Sequence, residues 1–140
     1  MNGITVQEFM MECDNLYNNI SKRSQEVQSG ITDHKMTEFT ILSVAQTIID
    51  RSHGFIQTEN EEVKSSFSEV FETARQIVQK SRESSHYEAE IRRAKNADDG
   101  KAMEENKKFK EMADKMYLGA LKRAITAVAK AKTIEMGMQI

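Results

Sequence analysis

The sequence predicts an all-α protein, an antiparallel four-helix bundle whose third and fourth helices outrun the first two and form a protruding helical-hairpin arm. Three observations lead there. Proline is absent and only six of the 140 residues are glycine, so few positions interrupt a helix. Apolar residues recur at steps of three, four and seven, and no strand-like alternation is bounded by turns, so no sheet is expected. Turn and cap signals then cut the chain into periodic stretches at about 6–28, 33–53, 59–96 and 100–133, within one domain covering 1–140. A chain of this length closes a core without metal or disulfide staples.

The first helix begins with capping-box spacing in Thr5-Val6-Gln7-Glu8, with Ile4 placed to staple onto Phe9. Val6, Phe9, Met10, Cys13, Leu16, Tyr17, Ile20 and Val27 follow as one stripe that ends near Gly30. The second helix takes Thr32 or Asp33 as its cap and Ile31 as a staple onto Met36. Its core face is Phe39, Leu42, Ala45, Ile48 and Ile49, broadened by Ile41 and Val44, and Gly54 supplies a left-handed stop after His53.

The third helix opens on a second capping box, Thr58-Glu59-Asn60-Glu61, and carries the clearest stripe of the chain: Val63, Phe67, Val70, Phe71, Ala74, Ile77 and Val78. Residues 79–86 are all polar. Tyr87, Ile91 and Ala94 nevertheless resume in register with Ile77, and no glycine or proline intervenes, so one continuous helix is expected to about Asn96. Asp98-Asp99-Gly100 is the turn. The fourth helix presents Met103, Phe109, Met112, Met116, Ala120, Ala124, Ile125 and Val128, with Gly119 read as a close-packing site and 134–140 as a frayed tail.

Folding the last two helices back about that turn makes facing residues sum to about 197, which sets Tyr87 against Phe109 and Phe71 against Ile125, large groups often meeting small ones. Helices one and two are then roughly 30 to 35 Å long and helices three and four roughly 50 to 57 Å. The shorter pair runs out near residue 81, leaving an arm over Arg82–Lys110.

Charge and composition exclude several function classes. Net charge is −2, yet residues 1–74 carry −7 and residues 75–140 carry +5, a division that favours packing of the two halves or association of copies. No apolar run reaches the roughly 20 residues of a membrane span, and Met1 to Val6 lacks the regions of a signal peptide. The expectation is therefore a cytoplasmic protein, with secretion by a signal-less route left open. The single cysteine, Cys13, lies on the apolar stripe and is expected to be a buried inert thiol rather than a nucleophile.

Asp50-Arg51-Ser52-His53 and Glu83-Ser84-Ser85-His86 both show the carboxylate-x-x-His spacing of di-iron bundles. Helical rise separates them by about 40 Å, so they cannot share a metal. Glycine-rich phosphate loops are missing. No catalytic residue, cofactor or metal is therefore expected. Basic groups of the arm alternate with acidic ones for a net +1, which suits a salt-bridged surface or paired long helices better than phosphate binding. The cationic, apolar stretch from Tyr117 to Lys132 carries small residues suited to close helix packing rather than to a membrane surface.

These features predict a non-enzymatic helical interaction protein, an adaptor, a chaperone or an assembly component. The candidate partner-binding residues are Tyr87, Ile91, Arg92, Met103 and Phe109 on the thin arm, and the expected partner is another protein or a second copy. A nucleic-acid-binding regulator using the basic second half is the alternative.

Overall fold

A computed structural model describes residues 3–138. In chain order the elements are β1 (Ile4–Thr5), α1 (Val6–Gln28), α2 (Lys35–Ser52), β2 (Ile56–Gln57), α3 (Glu61–Asn96) and α4 (Gly100–Met138). About 85% of the described residues are helical, as the periodicity requires. Successive helices run antiparallel, and α1 packs on α2 and α4 while α3 packs on α2 and α4, so α1 and α3 are diagonal in the bundle.

The first helix starts as its sequence dictates. The Thr5 hydroxyl accepts from the Glu8 N–H at 3.1 Å and the Glu8 carboxylate accepts from the Thr5 N–H at 3.2 Å, which closes the capping box. The second starts two residues later than expected, at Lys35, with His34 as an N-cap that makes no side-chain hydrogen bond. The Ile31–Met36 staple is absent, since Ile31 and Met36 are both exposed. Asn60, not Thr58, caps α3, its side-chain oxygen accepting from the N–H groups of Glu62 and Val63. That helix is unbroken through residues 79–86.

The α3–α4 turn falls where expected, and one helix end changes. At the α3–α4 turn Asp98 takes the left-handed conformation, Asp99 accepts from the Ala102 N–H, and Gly100 is already helical. Beyond Thr133 the helix continues to Met138, so the expected frayed tail is helical as far as it is described; Gln139 and Ile140 lie outside the described residues. Its continuation is held by Ile134, half-buried against the core.

The absence of sheet also needs correction, because β1 and β2 form a two-residue parallel pair, Ile4 with Ile56 and Thr5 with Gln57. Ile4 and Ile56 are buried and cap the core at the closed end of the bundle. A pairing this short carries no periodic signal; the fold brings the segments together by placing the start of α1 beside the end of α2.

The core is built by Phe9, Leu16, Ile41, Ile48, Val63, Val70, Ile77 and Val128, all essentially inaccessible, with Phe67 edge-on to Phe9 at 5.4 Å. Small residues of α4, namely Ala120, Ala124, Ala127 and Ala131, let α3 come close, as large-against-small packing predicts. The register holds: Tyr87 meets Phe109, Ser84 bonds Asp114 and Arg123 bonds Gln76, pairs whose numbers sum to 196, 198 and 199. Phe71, however, is only half-buried, stacked on Phe67 near Gly54.

Candidate functional site

The two long helices, of 36 and 39 residues against 23 and 18, leave a hairpin that rises above the base. Its root lies higher than residue 82. A cleft of about 400 Å³ joins Arg23 of α1 and Glu38 of α2 to Ser84, Ser85 and Glu88 of α3 and to Lys110, Asp114 and Tyr117 of α4. The base therefore reaches Glu88 and Lys110, and the free arm is the stretch between them, about residues 89–109.

This junction is a set of polar clamps. Arg23 donates to Glu38 at 2.7 Å, and His34 stands 3.4 Å from the same carboxylate. Thr37 donates to Glu26. On the other side the Ser84 hydroxyl donates to Asp114 at 2.5 Å, while Lys110 binds the second oxygen of that carboxylate at 2.9 Å. Both ion pairs keep much of their hydration, so each contributes only modestly to stability. Tyr117 lies beneath them, 9% exposed, and its hydroxyl has no hydrogen-bond partner among the described residues. Burial, with the nearby Glu38 charge adding and Arg23 opposing, pushes its phenol up to about 12. It stays neutral at physiological pH.

Of the sequence-selected residues, Tyr87 and Phe109 pack together at the arm root with centroids 5.4 Å apart. Ile91 and Met103 are half-buried around Ala94, which is buried, and Arg92 is exposed. The hairpin thus covers more of its own seam than expected. The strongly exposed apolar surface sits lower on α4, where Phe109 (49%), Met112 (59%) and Met116 (47%) form a row at steps of three and four.

By sequence Met112 and Met116 fit either core filling, the first reading, or an adaptable binding surface, and the structure places both outside. The row that faces inward keeps the expected Ala120 and Ala124 and adds Ala113, Tyr117 and Leu121. Both rows have helical spacing, and the α4 apolar arc is wider than one neighbour can cover, the signal by which sequence reasoning could have found the outer row. Beside it runs an open groove of about 550 Å³ whose α3 wall includes Gln76, Gln79 and Lys80 and whose α4 wall includes Met112, Met116, Gly119 and Arg123. Gly119 is not a close-packing site: a Cβ there would meet only the Arg123 guanidinium, at 3.5 Å. A second exposed apolar group, Val27, Ile31, Met36 and Phe39, surrounds the α1–α2 turn, so Phe39 leaves the predicted core face.

The remaining chemical candidates lie apart. His53 ends α2 in a left-handed conformation at the closed end, whereas His86 is exposed on α3 with its ring against Tyr87. Among the described residues no group of three His, Cys, Asp or Glu is placed to hold a metal ion. Cys13 is buried, and burial, reinforced by the charges of Asp14, Glu135 and Glu12 against the opposing Lys132, pushes its thiol up and disfavours the thiolate. Three cations of the arm and its root pair within their own helices, Arg93 with Glu90, Lys107 with Glu104 and Lys110 with Asp114, whereas Arg92, Lys95, Lys101 and Lys108 make no ion pair among the described residues. Among the described residues no helix is long and apolar enough to cross a membrane. Comparison with known protein families, curated proteins and solved structures finds no match to the chain.

Proposed function

We propose that this chain is a non-enzymatic helical interaction module, of the adaptor, chaperone or assembly-component kind, that engages a protein partner through the α3–α4 hairpin. One observation carries the proposal: Phe109, Met112 and Met116 stand about half exposed in a single row beside an open groove. Exposing three large apolar groups together is unfavourable in water by roughly 25 cal/mol per Å², and a partner surface removes that cost. Methionine suits such a surface because its unbranched side chain adapts to different shapes. Carboxylates alternate with the arm's basic groups, and two of them pair with Arg93 and Lys107, which favours a protein partner over a phosphate backbone, since the latter calls for a face largely free of carboxylates.

The test is capture of partners from the native host by the wild type and by a Met112→Asp, Met116→Asp variant. Both positions are exposed, so the variant should keep its far-ultraviolet circular dichroism and lose the captured protein. Unchanged capture by a folded variant overturns the proposal.

A further inference from the structure

We infer that the occupant of the outer α4 row is a second copy of this chain, seated antiparallel so that Met112 of each copy lies at the two-fold axis. The inference rests on the interaction-module proposal and names its partner. It follows from how charge is distributed along the row. Stepping by three and four, the row reads Glu105, Phe109, Met112, Met116, Gly119 and Arg123, acidic at one end and basic at the other, with the apolar groups between. Among the described residues Glu105 has no ion-pair partner, and Arg123 reaches only the neutral Gln76 oxygen, at 2.6 and 3.2 Å.

A row of this kind complements itself only when reversed. Parallel copies would set Glu105 against Glu105 and Arg123 against Arg123, whereas a two-fold at Met112 places Phe109 near Met116 of the other copy and Glu105 opposite Gly119. Gly119 offers no side chain at that point, and the Arg123 guanidinium already lies over it, 3.5 Å from where a Cβ would be. The Glu105 carboxylate of one copy therefore lands on the guanidinium of the other, and symmetry makes the pair twice. The glycine that meets only Arg123 within its own chain thereby acquires a function, as the gap through which the two charges meet. A standard interface needs about 800 Å² per partner, and the α3 wall of the groove, with Gln76, Gln79 and Lys80, supplies polar area on either side of the apolar row.

Charge reversal tests the geometry. Sedimentation equilibrium of the wild type at tens of micromolar should give twice the chain mass. Glu105→Arg and Arg123→Glu should each raise the dimer dissociation constant about tenfold, since attraction becomes repulsion at two symmetric points, and combining them should restore wild-type association. A monomeric wild type overturns the inference, and so does a dimer that ignores both reversals or is not rescued by their combination. If the wild type is monomeric yet the Met112→Asp, Met116→Asp variant loses a captured protein, only the second-copy assignment fails. If capture is also unaffected, the interaction-module proposal fails with it.

Discussion

Tyr87 and Phe109 pack ring against ring across α3 and α4, with centroids 5.4 Å apart and planes tilted by 38°, at the level where the α1–α2 base ends. Above them α3 and α4 have only each other. Ala94 is buried there, but Ile91 and Met103 are half-buried and most other arm side chains are exposed. Two helices alone bury little surface, so the arm is the least protected part of the hairpin. Hydrogen exchange of the isolated chain should show amides of about residues 89–109 exchanging faster than those of residues 63–78. Equal protection in both stretches would mean that the arm is covered.

Core energetics should divide two neighbouring phenylalanines. Phe67 is 3% exposed and meets the Phe9 ring edge-on, so Phe67→Ala should cost about 3 to 5 kcal/mol. Phe71, half-buried beside it, should cost less than half as much on truncation. Denaturant melts of the two variants check the order, and the reverse order would contradict this arrangement of α3.

The short parallel pair gives a sharper test, because Gly3 lies against Phe55. A Cβ on Gly3 would stand 2.5 Å from the Phe55 ring and 2.9 Å from its carbonyl oxygen. The ring can turn away; the carbonyl, which accepts from the Ile4 N–H, cannot move without parting the pair. Gly3→Ala should therefore destabilise the protein by about 1 to 3 kcal/mol, the usual range for overpacking. A thermal melt within error of wild type would show that β1 and β2 are dispensable.

Tyr117 predicts an alkaline effect of definite sign. Its phenol is raised to about 12 in the folded chain, while the unfolded value is near 10. The folded state therefore holds its proton where the unfolded state has lost it. Stability from the neutral phenol is fully present below pH 10 and is lost as pH rises towards 12. Absorbance at 295 nm should show a late tyrosine step, and Tyr117→Phe should remove it. The same substitution should change stability at neutral pH by no more than about 1 kcal/mol, because the hydroxyl has no partner among the described residues. A larger loss would reveal a hydrogen bond at that oxygen.

Much of the architecture could be read before folding because it depends on neighbours along the chain. The Thr5–Glu8 capping box, the continuity of α3 through residues 79–86 and the pairing of Tyr87 with Phe109 all follow from local spacing and one turn position. What spacing cannot give is the direction in which an apolar residue finds cover. Met112 and Tyr117 both fit helical stripes of α4, and only the positions of α1 and α3 decide that Tyr117 goes inside and Met112 outside.

The sequence by itself determined the helices, their antiparallel order and the excess length of the last two, since propensity, capping and periodicity are local properties. Tertiary structure alone decided three things. It brought Ile4 to Ile56 across more than fifty residues. It raised the arm root to Glu88 and Lys110 by closing a cleft from all four helices. And it left Phe109, Met112 and Met116 facing out. Each is a matter of which surfaces remain once three other helices have taken their places, and burial is a property of the assembled volume rather than of the order of residues.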